Sequence, residues 1–303
     1  MSVMATITNI SRGSLHDGPG VRSVVYLKGC GLRCRWCHNP ETLSAQREAA
    51  FMPSKCIGCG RCIDVCPAHH MVQDGTLRFD RHGCTACGKC ADACPTEAMS
   101  IIGERMSVQQ VFDVLRKDIP YYRQSGGGVT FSGGECLLHP AFVADVAALC
   151  HEAAIHTLVE TALFVPWNNV ERVFPLIDQF FVDLKLADPE KHRFYTGQDN
   201  ALILENLRHL SQLTTPITVR IPVIPTVNDT AADFDGFVAI LRTLGPAVRA
   251  VELLKYNPLA SSKYELVGAD YTAFATDAQS NEHMQILCDH LSSQISLSCT
   301  FRA

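Results

Sequence analysis

The sequence predicts an α/β protein with a largely parallel sheet and a small cysteine-rich domain inserted into it. Strand-like and helix-like segments alternate along most of the 303 residues, which is typical of parallel strands joined by helical crossovers. The strand-like segments are nearly continuous apolar runs, as expected of strands that are covered on both faces. Residues 51–100 interrupt the alternation, because they are dense in Cys, Gly and Pro. We therefore expect one domain formed by residues 1–50 and 101–303, with residues 51–100 inserted as a second.

Six segments rich in Val, Ile, Phe, Leu or Thr are predicted as strands, and helices are predicted between them. The first helix begins at a capping box formed by Ser107 and Gln110. The predicted strands are 21–28, 128–133, 156–161, 180–185, 217–224 and 250–256, and the predicted helices are 107–117, 140–153, 167–174, 201–213, 231–244 and about 281–294. Sites form in the loops after the carboxyl ends of parallel strands. The motifs GGE, ET and DLK, which end the second, third and fourth strands, are therefore candidate site segments.

Composition excludes two classes of function. The chain is 47% hydrophobic and 19% charged, with a net charge of −5 and no Lys/Arg-rich run, so the basic surface of a nucleic-acid-binding protein is missing. No apolar run approaches the roughly 20 residues that a membrane span needs. The amino terminus has no basic start followed by a long apolar stretch, so we read no signal peptide and expect a cytoplasmic protein.

Cysteines are unusually frequent, and most of them lie close together. Eleven of the fifteen fall between Cys30 and Cys94. In a chain with no sign of export, such clusters are more often metal ligands than disulfides. The other four have no regular spacing and are predicted to be buried free thiols. They are Cys136, Cys150, Cys288 and Cys299.

The insert contains an internal repeat. CIGCGRCIDVCP (56–67) and CTACGKCADACP (84–95) share the pattern C-x2-C-x2-C-x3-C-P, which is typical of two four-iron clusters that exchange their fourth ligand. Zinc is the alternative, but two complete repeats that both end in proline favour iron–sulfur clusters. The predicted ligands are Cys56, Cys59, Cys62 and Cys94 for one cluster and Cys66, Cys84, Cys87 and Cys90 for the other. Because these clusters have all their ligands, the insert is expected to pass electrons and to bind no substrate.

A third group of cysteines lacks a fourth member. Cys30, Cys34 and Cys37 have the spacing C-x3-C-x2-C and directly follow the first predicted strand. A four-iron cluster held by three thiolates leaves one iron free to bind something else. A three-ligand zinc ion with a bound water is the competing chemistry, although no H-E-x-x-H motif accompanies the three cysteines.

This C-x3-C-x2-C motif after a first strand resembles the radical S-adenosylmethionine (radical SAM) superfamily. Further motifs resemble the glycyl radical enzyme activating enzymes, in the pyruvate formate-lyase activating enzyme-like branch that carries a double ferredoxin insert. They are HDGPGVR (16–22), KGC (28–30), WCHNPE (36–41), SGGE (132–135), DLK (183–185) and ELLKY (252–256). The resemblance covers nearly the whole chain. It implies a partial (β/α)6 barrel, similar to a TIM barrel, with a two-cluster ferredoxin-like insert.

The resemblance also implies an activity. Flavodoxin or ferredoxin would reduce the clusters, and the open cluster would cleave S-adenosylmethionine to methionine and a 5′-deoxyadenosyl radical. That radical would take a hydrogen from one glycine of a partner glycyl radical enzyme. The cofactors implied are S-adenosylmethionine and three [4Fe–4S] clusters.

Site residues are carried over from the family's motifs to matching positions. The implied contacts of S-adenosylmethionine are Trp36, Cys37, His38, Gly133, Gly134, Glu135, Lys185, Ala187, Asp188, Pro189 and Asn257. Lys185 is expected to meet the ligand carboxylate, and the two glycines to let the backbone approach the ligand. Trp36 has a plainer interpretation as cover for the cluster. Asn257 and Lys255 depart from the family, whose members more often carry histidine and proline there.

The same resemblance implies two further groups of site residues. Glu160, Thr161 and Asp183 match residues that hold a monovalent cation beside the ligand carboxylate, although Glu160 replaces an aspartate. Asp17 matches a residue near the incoming glycyl peptide, but an ordinary D-G-P-G turn explains it nearly as well.

Two alternative functions explain the sequence less well. A different radical SAM maturase, such as one that forms formylglycine in a sulfatase, commonly carries its auxiliary cysteines after the barrel, whereas here they precede the second strand. A ferredoxin that only carries electrons would not explain the open group of three cysteines or the SGGE motif.

Overall fold

The computed structural model describes residues 3–72, 75–270 and 272–302. Its strands are β1 (Met4–Ser14), β2 (Arg22–Leu27), β3 (Glu48–Phe51), β4 (His69–Met71), β5 (Leu77–Phe79), β6 (Met99–Ile102), β7 (Glu104–Ser107), β8 (Gly128–Gly133), β9 (His156–Thr161), β10 (Gln179–Asp183), β11 (Ile217–Pro222), β12 (Val248–Leu254) and β13 (Ser298–Arg302). Its α-helices are α1 (Arg61–Val65), α2 (Lys89–Asp92), α3 (Val108–Leu115), α4 (Ile119–Ser125), α5 (Pro140–Glu152), α6 (Trp167–Val173), α7 (Pro189–Thr196), α8 (Ala201–Ser211), α9 (Ala231–Leu241), α10 (Ser261–Val267) and α11 (Asn281–Ser292).

A central sheet organises the chain in the order β13-β12-β11-β10-β9-β8-β2-β1-β7. Strands β2 and β8 to β13 run parallel, whereas β1 and β7 are antiparallel to their neighbours. The predicted α/β class with a parallel sheet is confirmed, and all six predicted strands are present. The sequence did not predict β1, β7 and β13, because these strands are short or carry many polar and exposed residues.

All six predicted helices are present; five begin at the predicted residue, the first begins one residue later, and all end one to three residues earlier than predicted. The predicted capping box is also present, since the Gln110 backbone N–H donates to Ser107 Oγ at 3.2 Å and the Ser107 N–H donates to Gln110 Oε1 at 2.8 Å. Helices α7 and α10 were not predicted. Their sequences, PEKHRFYT and SSKYELV, are too short and too polar to show an apolar period.

The main core lies between the central sheet and the helices that cover it. Strand β8 is buried over five of its six residues, and Phe131, Phe142, Phe180, Phe234 and Phe237 are fully buried. Burying one such side chain stabilises the fold by about 1.5–3 kcal/mol. Helix α5 packs on α3 and α6, and α11 packs on α9 and β13. This packing fixes the carboxyl ends of the parallel strands, where the candidate site lies.

The cysteine-rich region begins and ends on one antiparallel pair of strands. β3 pairs with β6, so that Glu48 faces Ile102 and Phe51 faces Met99. Between them lie α1, α2 and the two-stranded β4–β5 sheet. The predicted boundaries at 51 and 100 stay a prediction, and the paired strands lie within three residues of both. No α-helix in the described part of the chain is long and apolar enough to cross a membrane.

Candidate active site

The loop with the three open cysteines is held on two sides. On one side the Gly29 and Cys30 N–H groups donate to the carbonyls of Thr42 (2.7 Å) and Leu43 (3.2 Å). On the other side two loop N–H groups donate to the end of α7, from Arg33 to Thr196 (2.7 Å) and from Arg35 to Tyr195 (2.9 Å). The loop between β2 and residue 42 therefore has a fixed backbone, and α7 is one of its supports.

The three thiols of this loop lie within electrostatic reach of one another. Cys30 and Cys34 pack against an apolar cluster that includes Leu32 and Ile203. Burial raises the pKa of all three thiols to about 11, against the opposing effect of the nearby Lys185 ammonium. Thiols in such a place become thiolates when a metal centre displaces their protons. The donor set therefore fits an iron–sulfur cluster.

No three His, Cys, Asp or Glu side chains among the described residues are arranged to hold a single metal ion. A four-iron cluster binds each thiolate at a different iron and so keeps its ligands apart. The arrangement of Cys30, Cys34 and Cys37 is compatible with such a cluster, and their role as its ligands stays a prediction.

Lys185 places a positive charge beside the three thiols. Its Nζ donates to Asp183 Oδ2 at 2.8 Å, and its side chain is 13% exposed. Burial acts to lower the pKa of this ammonium, but Asp183 and the thiols of Cys34 and Cys30 outweigh it and raise the pKa. Lys185 therefore carries its charge at neutral pH and is available to a carboxylate that approaches the three cysteines.

The SGGE segment packs directly against the cysteine loop. The Gly134 N–H donates to Leu27 O at 2.9 Å, and the Glu135 N–H donates to Gly29 O at 2.7 Å. A Cβ at Gly133 would lie 2.2 Å from Leu27 O, and one at Gly134 would lie 2.3 Å from Gly29 O. Both glycines are therefore required by close packing on β2 and the loop after it. Their approach to a ligand stays a prediction.

Glu135 ties this segment to β9. Its carboxylate accepts hydrogen bonds from Thr161 Oγ1 (2.7 Å) and from the N–H groups of Ala162 (3.0 Å) and Leu137 (3.2 Å). Burial raises the pKa of this carboxyl to about 7, although the three hydrogen bonds oppose the shift. Glu135 therefore fixes the geometry of the SGGE segment, and its predicted contact with a ligand stays a prediction.

A buried group of charges that the sequence did not single out crosses the sheet. Arg220 Nη1 donates to Glu160 Oε1 at 2.6 Å, and Arg220 Nε donates to Glu252 Oε2 at 2.7 Å. Ser132 Oγ donates to the other Glu160 oxygen at 2.7 Å, and the guanidinium lies 3.9 Å from the centre of the Phe181 ring. The available signal was a charged residue between apolar neighbours in each of three strands, namely Glu160, Arg220 and Glu252, because a buried charge needs a partner.

The three proposed cation ligands are brought near each other but have different partners. Glu160 is paired with Arg220, Asp183 with Lys185, and the Thr161 hydroxyl with Glu135. A cation bound here would therefore compete with Arg220 for Glu160.

Trp36 and His38 flank Cys37 in the cysteine loop, and Asn257 follows β12. The Trp36 ring is 6.0 Å from the rings of both Tyr195 and Phe274, in an apolar cluster that also touches Cys34. This packing supports the interpretation of Trp36 as cover. Burial lowers the pKa of the His38 imidazole and the neighbouring Asn257 side chain opposes this shift, so the structure places these two predicted contacts near each other.

The remaining predicted residues lie at two turns. Asp188 accepts a hydrogen bond from the Lys191 N–H at 2.7 Å and caps α7, which begins at Pro189. Ala187 O accepts a hydrogen bond from Asn200 at 2.9 Å. In the D-G-P-G turn, Asp17 accepts a hydrogen bond from the Ser14 hydroxyl. These contacts are structural, and the predicted ligand and peptide contacts stay predictions.

The insert groups its cysteines in the crossed manner predicted from the repeat. One cavity is lined by Cys56, Cys59, Cys62 and Cys94, and the Cys62 thiol is within electrostatic reach of the other three. Elsewhere in the insert, Cys90 is within electrostatic reach of Cys66 and Cys84. Cys87 is exposed and lies three residues before Cys90. Their binding of clusters stays a prediction.

Comparisons with known proteins agree with the chemistry of this site. The family model of the radical SAM superfamily matches residues 24–237. The chain is 44% identical over 269 residues to the benzylsuccinate synthase activating enzyme of Thauera aromatica, which covers 86% of this chain and 81% of that protein. It is 39% identical over 294 residues to the (2S)-3-sulfopropanediol dehydratase activating enzyme of Klebsiella oxytoca, which covers 94% and 93%.

A solved structure is also similar. A domain of the pyruvate-formate lyase-activating enzyme from Bacteroides vulgatus superposes with a TM-score of 0.50 at 29% identity. The match covers 59% of this chain and 100% of that domain. The likeness therefore extends from sequence motifs to the arrangement of the sheet.

Proposed function

The chain belongs to the radical SAM superfamily and, within it, to the glycyl radical enzyme activating enzymes, and from this premise we propose how its residues perform the activity. It is a radical SAM activase that uses S-adenosylmethionine and a [4Fe–4S] cluster and acts on a glycyl radical enzyme. This function is favoured over a sulfatase-type maturase and over a ferredoxin, since relatives at 35–44% identity are named as activating enzymes.

Cys30, Cys34 and Cys37 would hold the open cluster. When bound, that cluster supplies the electron that cleaves S-adenosylmethionine and so generates the radical that takes the glycine hydrogen. The observation that carries this assignment is the Lys185 ammonium, which lies within electrostatic reach of all three thiols and is held by Asp183. Such a charge beside a vacant ligand position would bind the carboxylate of the methionine moiety.

Other side chains would shape the cofactor site without reacting. Glu135 holds the SGGE backbone against the cysteine loop, so that the Gly133 and Gly134 N–H and C=O groups keep fixed directions. His38 and Asn257 lie near each other and would meet the adenosine together. Trp36 would cover one side of the cluster loop, and residues 187–189 would border the ligand.

A monovalent cation beside the ligand carboxylate is a further part of this proposal. Glu160, Thr161 and Asp183 would supply its oxygens. Because Glu160 is already paired with Arg220 at 2.6 Å, the cation would bind weakly unless S-adenosylmethionine contributes its own carboxylate. The test is the affinity for S-adenosylmethionine in potassium, sodium and cation-free buffers, and equal affinities would remove the cation from the site.

The insert would hold two further [4Fe–4S] clusters as a two-cluster ferredoxin-like domain. The cavity lined by Cys56, Cys59, Cys62 and Cys94, and the group of Cys90 with Cys66 and Cys84, support this crossed set of ligands. A cytoplasmic flavodoxin or ferredoxin would supply electrons to them.

The glycine of the partner would enter from the open side of the sheet, which we propose to be a partial (β/α)6 barrel. The hydrogen-bonded order of the sheet runs from β13 to β7. Asp17 lies in a turn whose neighbouring carbonyl, that of His16, accepts a hydrogen bond from Arg220 at 3.2 Å, so this turn faces the buried charges of the sheet. Glycine suits this approach because it has no side chain.

The experiment that tests the function is anaerobic mixing of the reconstituted protein with reductant, S-adenosylmethionine and a glycyl radical enzyme encoded next to it. Electron paramagnetic resonance is expected to show a glycyl doublet that disappears when the candidate glycine of the partner becomes alanine. If every glycyl radical enzyme of the same genome gives no doublet while a small molecule is turned over, the activase function is wrong and the protein is a radical SAM enzyme of another class.

A further inference from the structure

Helix α10 lies between the open cysteine loop and the insert, and it is hydrogen-bonded to both. Lys263 Nζ donates to His38 O at 3.0 Å and to Asn39 Oδ1 at 2.7 Å, immediately after Cys37. At the other end of the helix, Arg81 Nη2 donates to Leu266 O at 3.0 Å. Arg81 stands three residues before Cys84, so a short series of hydrogen bonds and one helical turn separates the two groups of cysteines.

Arg81 is held in place from three directions. Its Nη1 donates to Ala49 O on β3 at 2.5 Å, and its guanidinium lies 4.9 Å from the centre of the Phe79 ring on β5. Its third contact is the carbonyl of Leu266, near the carboxyl end of α10, where a cation is favoured by the helix dipole. One side chain of the insert thus joins β3, β5 and α10.

Gly268 leaves room for this contact. It ends α10 in the left-handed region with φ +66°, and a Cβ there would lie 2.2 Å from Arg81 Nε. The backbone conformation favours glycine at this position, and a Cβ there would displace the Arg81 guanidinium packed against it.

The second group of insert cysteines faces this helix. Cys87 and Gly88 line a cleft together with Leu266 of α10 and with Arg47. The cavity of the other group, around Cys56, is lined by residues between 56 and 99. The two groups therefore differ, with the group of Cys66, Cys84, Cys87 and Cys90 lying toward α10.

Three more contacts join the cysteine loop to the base of the insert and to α10. Lys28, which has no exposed side-chain surface, donates from Nζ to Glu48 Oε2 at 2.8 Å and to Glu41 O at 2.7 Å. Lys263 also pairs with the Glu41 carboxylate at 3.3 Å. Helix α10 packs on β3 and on the turn at 40–42, so these contacts belong to one continuous interface.

We propose that α10 is the docking helix that fixes the second cysteine group of the insert against the open cysteine loop, with Arg81 and Lys263 as its positioning residues. The inference rests on the proposed function, in which the insert supplies electrons to the open site. Transfer between two redox centres slows steeply as their separation grows, so a helix that holds the separation constant controls the supply.

The first measurement is hydrogen–deuterium exchange of the anaerobically reconstituted holoprotein, which does not depend on activity. Arg81→Met and Lys263→Met are each expected to speed exchange about tenfold in α10 and in residues 48–51, because a hydrogen bond from a charged donor is lost. Arg242→Met is the matched control, since its guanidinium also donates to a backbone carbonyl, that of Gln294, at 3.1 Å, but far from both cysteine groups.

A second pair of variants tests the same contact without removing the charge. Gly268→Ala places a methyl group against Arg81, whereas Gly126→Ala introduces the same strain at another helix end, with φ +68° and nothing within 4 Å. Only Gly268→Ala is expected to speed hydrogen–deuterium exchange in α10 and in residues 48–51.

The third measurement counts 5′-deoxyadenosine after the holoprotein is reduced with dithionite, freed of excess reductant and mixed with S-adenosylmethionine in a thiol buffer. In the variants the first equivalent should form at the wild-type rate, and later equivalents, whose electrons come from the insert, should form severalfold more slowly. Iron content must equal that of the wild type, so that slowing does not reflect a lost cluster.

The outcomes separate the inference from the function. Unchanged exchange in all three variants, or faster exchange with later equivalents at the wild-type rate, would overturn the docking role. If the wild type forms no 5′-deoxyadenosine while exchange in α10 responds as expected, the docking contact is supported and the proposed electron supply fails.

Discussion

Arg220 and Glu252 occupy matched positions on the neighbouring strands β11 and β12, and the Arg220 Nε donates to Glu252 Oε2 at 2.7 Å inside the fold. Both side chains are less than a tenth exposed. The same guanidinium binds Glu160 on β9, so one cation neutralises two buried carboxylates that point into the candidate site.

Arg220→Met should therefore lower the free energy of unfolding by about 3–5 kcal/mol, because two buried carboxylates lose their partner. Adding Glu160→Gln and Glu252→Gln should restore much of this loss, since neutral amides need no counter-charge. Guanidinium titration of the anaerobic holoprotein, followed by tryptophan fluorescence, measures the change. Equal stability of Arg220→Met and the wild type would show that the pairs contribute nothing.

The fully reconstituted protein should contain about twelve irons per chain, from eleven cysteines in three groups. Anaerobic iron and sulfide analysis measures this number. Saturation at about four irons, or zinc bound by the insert, would remove the double ferredoxin assignment.

Cys34→Ala should abolish formation of 5′-deoxyadenosine and lower the iron content from about twelve to about eight, since the open cysteines and the insert use separate ligands. Cys150→Ala is the control, because it removes a buried thiol of α5 that belongs to none of the three groups. Product formation at the wild-type level by Cys34→Ala would exclude Cys34 as a ligand of the reacting cluster.

Gly134→Ala should also cause loss of the open cluster, although the substitution removes none of the cluster's ligands. The new Cβ would lie 2.3 Å from Gly29 O and 2.8 Å from Thr42 O, and these backbone atoms can move only if the cysteine loop moves with them. We expect iron to fall by about four per chain, as for Cys34→Ala. Gly13→Ala, where nothing lies within 4 Å, should keep its iron, and full iron in both variants would contradict this role of Gly134.

Most of the central sheet could be predicted because its parallel strands are buried on both faces and read as continuous apolar runs. Strand β8 was predicted to the residue, and β9 likewise. Strand β1 and helices α7 and α10 could not be, since their stability comes from contacts with distant segments rather than from their own apolar period. Helix α7 carries two of the carbonyls that hold the open cysteine loop.

In the candidate site, too, only the features that form a local sequence pattern could be predicted. Spacing alone grouped the cysteines, because four-iron clusters require short and regular intervals between their ligands. The pairing of Arg220 with Glu252 depends on the register of two strands, and the contact of Arg81 with Leu266 joins residues 185 positions apart. A charge inside an apolar strand indicates that Arg220 has a partner but does not identify it, and the contact of Arg81 leaves no local pattern at all.

The β3–β6 pair closes the base of the cysteine-rich insert, so that residues 52–98, here called the cassette, could be removed as one unit. Because Glu48 faces Ile102, the chain leaves the catalytic body and rejoins it at neighbouring points, and a short turn could replace everything between them. Among the described residues between 52 and 98, no strand belongs to the central sheet, so the connectivity of that sheet would survive the exchange. We therefore expect that a chain in which a short turn replaces residues 52–98 still forms the central sheet.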